Sequence, residues 1–430
     1  MEVSLPYGKE KHVSIEVPEE NFLFAIDRKT AKALENPEQE LRKSLKNPIG
    51  TPPLKDLVKR GDKVVIVADD NTRPTPQKFI LPILLDELNE IGIPDSQIEV
   101  LIALGTHRYM TEDEILEKFG KEVINRVPVI NHDYKNPENL VNIGKTSSGV
   151  PVTVNRKVVE ADFVIGVGNI VPHPLVGWAG GSKIIQPGVC GEETTAATHM
   201  ISGRIRPITK IFGKIDNVVR REIDRVALKA GLKFIINTVL NEKDEISYFA
   251  VGHPVHAFRE GVKKAREIFC PKIPAKADII IASSYPADIE YWQAVKALAF
   301  ASSAVEHGGS IIFITPCPEG VSVMHPVFRE KASLRYGEIL KEVRSNKIKD
   351  IIGAAGLLEH AQIMEVVGEV ICYSTGLTKE DMEKLGFIYA DSIDEALKMA
   401  LKTQGEKAKI GILKCGEICP IIESQNRSVG

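Results

Sequence analysis

Apolar, β-branched runs, each followed by a short polar loop and then a helical period, recur along this chain and set its architecture before any single residue does. KVVIVADD (63–70) reads as a buried strand ending in two carboxylates. The loop NTRPTP follows at once, and FILPILLDELNEIG then places apolar residues at helical spacing. The unit repeats as the strand IEVLIALG (98–105), the loop THRYM and the helix TEDEILEKFG. Strand-like runs at 127–130, 151–154 and 162–167 continue the series, and such alternation predicts an α/β fold with a mostly parallel sheet covered by helices. Ahead of it, residues 1–25 alternate in two short runs around Tyr7-Gly8, the pattern of a hairpin, and residues 30–60 read as surface helices broken at Asn47-Pro48 and Pro52-Pro53.

Beyond residue 200 the pattern predicts a long helix at 209–231, the strand KFIINTVL (233–240) and the helix HAFREGVKKAREIF (256–269). FCPKIPAKA (269–277) then interrupts with two prolines and no period, which marks a domain boundary. A second α/β series follows: the strand DIIIASSYP (278–286), the helix AVKALAFASSAVE, the strand GSIIFITPCPEG and a helix at 333–345. VGEVICYST (367–375), a helix opened by Ser392 with Glu395 as its capping-box partner, and the strand KIGILK (409–414) complete it. The expectation is two α/β domains with mostly parallel sheets and a crevice between them, at 1–268 and 275–410, with residues 413–430 packing back on the first.

Composition fits that picture. At 430 residues the chain exceeds the ~250–300 at which one core stops growing. With 43% hydrophobic residues, 26% charged and a net charge of −3, it reads as soluble and globular, with no basic excess to engage nucleic acid. The N-terminus lacks the apolar core of a signal peptide and no run of ~18 apolar residues occurs, so no membrane association and a cytoplasmic location are expected. The six cysteines are scattered and read as reduced; Cys415 and Cys419, the one near pair, read as core thiols before a metal clip.

Three loops after strands carry more polar groups than a turn requires: Asp69–Arg73, Gly105–Arg108 and Asn169–His199. Loops at the carboxyl ends of parallel strands share a crevice, so these segments can converge. Asp70 and Thr72 could equally cap a helix, and His107 or His173 alone could be a structural imidazole. Lys183 is harder to dismiss. Gly180-Gly181-Ser182 precede it and apolar residues follow, surroundings that would desolvate an amine, lower its pKa and make it nucleophilic, though it could equally hold a phosphate or only face solvent. His253 and His256 open a helix and read as structural, and Gly144-Lys145-Thr146 lacks the first glycine of a phosphate loop.

Taken together, DDNTRP (69–74), GTHR (105–108), PHPLVGWAGGSKIIQPGVCG (172–191), ATHM (197–200) and YWQAVKAL (291–298) resemble the lactate racemase family that uses a nickel-pincer nucleotide. The resemblance spans nearly the whole chain. It implies a pyridinium mononucleotide whose two sulfur-bearing arms grip nickel, tethered through Lys183 as a thioamide, with His199 as the protein's nickel ligand. Asp70, Asn71, Thr72 and Arg73 match the loop that holds the nucleotide, with Asp70 suited to ribose hydroxyls. His107 and His173 match the pair of acid/base histidines. Gln293 and Lys296, three apart on one helix face, match the residues that orient the substrate from the second domain, with Arg73 beside them.

The implied reaction interconverts the enantiomers of a 2-hydroxy acid, most simply lactate. The C–H beside a carboxylate is a poor acid, so removal of hydride is the alternative to removal of a proton, and bases are needed on both faces. Trp292, with Tyr291 beside it, stands where lactate-acting members carry a tyrosine, which leaves the choice of 2-hydroxy acid open. Cofactor-synthesis proteins are the implied partners. Two other readings stay open: a zinc hydrolase using His107, His173 and His199, and a non-catalytic nickel or nucleotide carrier.

Overall fold

The computed structural model describes residues 1–423 and contains two six-stranded sheets. The first consists of Val64–Asp69, Ile98–Ala103, Val129–Asn131, Phe163–Asn169, Leu232–Leu240 and Ile246–Gly252. Numbered in chain order, these strands lie side by side as 3-2-1-4-5-6, all parallel except the last pair. The order reverses between Val64–Asp69 and Phe163–Asn169, so the loops leaving their carboxyl ends diverge and open a crevice. Both strands are buried at every position, as expected for parallel strands covered on two faces. A Cβ at Gly166 would lie 2.6 Å from Ile184 Cγ2, so the missing side chain is what lets the Gly181–Ile184 turn press on this strand.

The second sheet joins Phe22–Ile26, Ala277–Ser283, Val305–Ile314, Glu369–Tyr373, Ile388–Tyr389 and Ile410–Leu413, all parallel. Its order reverses between Ala277–Ser283 and Ile410–Leu413. From the first of these the chain passes to the helix Tyr291–Ala304, which carries Gln293 and Lys296. Helix Glu192–Gly203 of the first half packs against helix Ile351–Met364 of the second, and Tyr336 Oη donates to Gly203 O at 3.2 Å.

Several elements depart from the sequence expectation. The N-terminal hairpin forms and turns at Tyr7-Gly8, but Phe22–Ile26 pairs in parallel with Ile410–Leu413, and the hairpin's Val3, Leu5 and Ile15 join the core under the second sheet. The first 26 residues therefore pack with the second half, because its edge strand takes a partner that no local pattern announces. Past Leu413 the chain crosses to the first half: Cys419 N–H donates to Phe269 O at 2.8 Å and Ile421 N–H to Pro271 O at 2.9 Å. Residues 424–430 of the segment expected to pack there lie outside the described residues.

The run at 151–154 extends no large sheet; Pro151–Asn155 pairs antiparallel with Leu140–Lys145 as a separate ribbon. The helix expected over 209–231 begins only at Val218, because the Asn217 side chain accepts from Arg220 N–H and caps it there. Ser392 caps its helix, yet Glu395 reaches back to Asp391 N–H at 2.7 Å and no closed capping box forms. Helix Ile351–Met364, IIGAAGLLEHAQIM, was not expected, since burial on every side erases the helical period. All six cysteines are free and buried, and no helix among the described residues is long and apolar enough to cross a membrane.

Candidate active site

Between the carboxyl ends of the first sheet and the helices Tyr291–Ala304 and Ile351–Met364 lies a crevice with an empty volume of about 990 Å³, open mouth included. That is within the range of small-molecule and cofactor pockets. From the loop after the first strand come Asp70, Thr72 and Arg73, and from the loop after the second comes His107. His173, Lys183 and His199 enter from the long passage after Phe163–Asn169, and Gln293 and Lys296 from the opposite wall. Residues that lie more than 220 positions apart in the chain thus meet at one strand-order reversal.

A polar chain runs across the crevice. His107 Nδ1 is 2.6 Å from Asp70 Oδ2, and its Nε2 is 2.7 Å from the Gln293 amide nitrogen. An amide nitrogen only donates, so Nε2 accepts and Nδ1 carries the hydrogen that it gives to Asp70. Gln293 Oε1 in turn accepts from Lys296 Nζ. Burial pushes the Asp70 carboxyl up, but the adjoining His107, the Thr72 hydroxyl and the Arg73 guanidinium outweigh it and hold it well below the usual carboxylate range. Asp70 also accepts from the Thr72 hydroxyl at 2.5 Å, so both its oxygens are engaged inside the protein.

Lys183 sits in a turn that only glycine could precede. Gly180 and Gly181 have φ of 92° and 59°, and a Cβ on Gly181 would meet the Phe258 ring at 2.8 Å. Gly181 N–H donates to Asn237 Oδ1 at 2.7 Å, and the buried Arg220, stacked 4.2 Å from the Phe258 ring centroid, binds Gly180 O at 3.1 Å. Burial first, then the charges of Arg73, Lys296 and Arg220, hold the Lys183 amine well below its usual value. A lowered pKa favours the unprotonated, nucleophilic form of the amine.

The two remaining histidines are kept neutral, with different free nitrogens. His173 Nδ1 accepts from Leu175 N–H at 3.2 Å, and burial reinforced by Lys183 and Lys296 holds the ring well below its usual pKa. His199 Nδ1 donates to Thr195 O at 2.9 Å, one turn back on the same helix, and burial with Lys183 pushes the ring down to about 4. That bond fixes the tautomer and leaves the Nε2 lone pair free, the state in which imidazole ligates a metal.

Among the described residues, no three His, Cys, Asp or Glu side chains group so as to hold a metal ion. The zinc arrangement of His107, His173 and His199 is therefore not formed, since His107 spends both nitrogens on Asp70 and Gln293. The Asn71 amide donates to Glu114 Oε1 at 2.9 Å, and the residue lines a small adjoining pocket with Thr72, His107 and Gln293 but not the main crevice. Sequence reasoning missed Asn169, whose buried amide leaves both polar atoms unpartnered at the crevice wall. It also missed Glu359, although a lone carboxylate in the apolar run IIGAAGLLEHAQIM is itself a signal. His325 binds Asp350 at 2.8 Å and Thr106 at 3.1 Å across the two halves and stacks 4.5 Å from Trp292.

Residues 7–207 match the family model of the lactate racemase N-terminal domain, and residues 272–419 that of the lactate racemase C-terminal domain. The chain is 31% identical over 423 residues to the lactate racemase of Thermoanaerobacterium thermosaccharolyticum, covering 96% of this chain and 97% of that protein. It is 29% identical over 422 residues to the lactate racemase of Lactiplantibacillus plantarum, covering 96% and 98%. The solved lactate racemase apoprotein from T. thermosaccharolyticum superposes with a TM-score of 0.85 at 28% identity, over 98% of this chain and all (100%) of that one. A Thermotoga maritima protein shares the fold at a TM-score of 0.70 and 21% identity, over 90% of this chain and 98% of its own.

Proposed function

The chain belongs to the lactate racemase family, and on that premise we propose that it interconverts the D and L enantiomers of a 2-hydroxy acid, lactate in the simplest case. The observation that carries this reading is the Asp70–His107–Gln293–Lys296 chain spanning the same crevice as Lys183 and His199.

The residues present fit the nickel-pincer nucleotide. Lys183 offers an amine whose pKa burial lowers for the thioamide tether, and His199 offers an Nε2 lone pair whose tautomer is fixed by Thr195. Arg73 and the unpartnered Asn169 amide offer donors and an acceptor for the nucleotide's polar groups. When bound, the group would supply a hydride acceptor, and His199 would give the nickel an imidazole ligand.

The chain's own residues bind the substrate, move its proton and exclude water. The substrate carboxylate is drawn by Arg73 and Lys296 and oriented by Gln293. Its 2-hydroxyl takes the place the Gln293 amide holds at His107 Nε2, and His107 accepts the hydroxyl proton as hydride leaves C2. Asp70, ionised by its surroundings, stabilises the imidazolium so formed. His173 serves the opposite face, so that the hydroxyl of either enantiomer has a histidine beside it for proton exchange. Walls from both halves keep water from that intermediate. Cofactor-synthesis proteins would load the tether.

The test is turnover of cofactor-loaded His107→Ala and His173→Ala. Each is expected to lose about 10²–10⁴-fold in kcat. Wild-type-like racemisation by both variants would remove the acid/base assignment.

A further inference from the structure

Glu359 lies on helix Ile351–Met364, 2% exposed, and is the one acidic residue in that mostly apolar helix. It lines the crevice beside Lys296, and its Oε1 has no hydrogen-bond partner. Leaving a buried carboxyl oxygen unpartnered costs ~1–3 kcal/mol, more if it is charged, so its retention in the wall points to a partner that arrives with the ligand. Gly356, three residues earlier and on the same helical face, also lines the crevice. A Cβ at Gly356 would lie 2.4 Å from Trp292 Cζ3, so the missing side chain is what lets the Trp292 ring press on this helix. The wall is thus apolar at Trp292 and polar one turn further at Glu359.

This inference rests on the racemase reading and adds to it the substrate's side chain. We infer that Glu359 is a specificity-determining residue that hydrogen-bonds a hydroxyl on the substrate's C3, so that the site takes 2,3-dihydroxy acids in preference to 2-hydroxy acids with an alkyl side chain. A hydroxyl is the group that suits this position best, because it can donate to a carboxylate or accept from a carboxylic acid. A methyl group would leave Oε1 unpartnered, and a second carboxylate would be repelled whenever Glu359 is ionised. Burial pushes the Glu359 carboxyl up to about 8 against the pull of Lys296, so both states occur near neutrality and the hydroxyl matches each.

Glycerate and 2-hydroxybutyrate differ by a hydroxyl against a methyl on C3 and are nearly the same size, so they test the inference directly. With cofactor-loaded protein, kcat/KM for glycerate is expected to exceed that for 2-hydroxybutyrate at least tenfold. The ratio should fall to about one in Glu359→Leu and be largely retained in Glu359→Gln, with the change carried mainly by KM. Lactate is run alongside. Racemisation of lactate with no preference between the other two, or a preference untouched in Glu359→Leu, overturns the inference and leaves the racemase reading standing. No racemisation of any of the three acids overturns both. Because the wild-type ratio is itself a test, the inference does not depend on the variants folding.

Discussion

His107 Nδ1 and Asp70 Oδ2 lie 2.6 Å apart, although the two residues come from loops after different strands. The pairing fixes one tautomer of the imidazole and sets Nε2 facing the Gln293 amide of the other half. Asp70→Asn keeps the size and removes the charge. It is expected to lower kcat by at least about 10²-fold with little change in unfolding temperature, a loss in the range general acid–base catalysis supplies. Steady-state kinetics beside thermal unfolding check it; unchanged kcat would mean the pair is only structural.

The amine of Lys183 is the expected tether. Protein made together with cofactor-synthesis enzymes should carry a covalent mass increment that Lys183→Ala lacks. Intact-mass spectrometry reads this directly, and an undiminished increment in the variant would place the attachment elsewhere.

Asn71 faces Glu114 at 2.9 Å and is absent from the crevice lining. Asn71→Ala should therefore leave cofactor content and kcat within about threefold, and lose ~0.5–1.5 kcal/mol of stability through the missing hydrogen bond. A large loss of bound cofactor in this variant would restore Asn71 to the binding loop.

Gly166 makes room for Ile184 and with it for the turn that carries Lys183. Gly166→Ala is expected to destabilise the protein by ~1–3 kcal/mol, the usual cost of overpacking. It should also slow covalent loading of Lys183. Denaturant unfolding and the time course of the mass increment measure the two effects.

Glu359 has a folded-state pKa of about 8, raised from 4.5 by burial. The folded state therefore holds this proton at pH values where the unfolded chain has lost it, and stability falls as pH rises from about 4.5 to about 8. Glu359→Gln removes the titration, so its unfolding temperature relative to wild type should climb by a few degrees (~2–4 °C per kcal/mol) across that window and level off above it. A pH-independent difference between the two proteins would contradict the burial argument.

Much of the site was legible because its chemistry sits in loops directly after strongly apolar strands. Asp70, Arg73, His107 and His173 could be singled out on that ground, and Lys183 from its glycines. What lay hidden was non-local. Phe22–Ile26 carries no signal that it will complete the edge beside Ile410–Leu413, and Pro151–Asn155 looks like any buried strand until its antiparallel partner is known. Helix Ile351–Met364 lost its period to complete burial, and Glu359 was lost with it. Asn71 was read with its neighbours in DDNTRP, but the chain turns at Asn71-Thr72, with Arg73 N–H donating to Asp70 O, and the Asn71 amide meets Glu114.

The central claim is racemisation of a 2-hydroxy acid by hydride transfer. It is tested most directly by incubating cofactor-loaded protein with L-lactate in D₂O and following enantiomer content and isotope at C2. The account predicts that D-lactate appears until the enantiomers are equal, with the C2 hydrogen retained as protium. Deuterium at C2 would show proton abstraction instead, and L-lactate that stays L throughout, with glycerate and 2-hydroxybutyrate equally unchanged, would contradict the racemase reading itself.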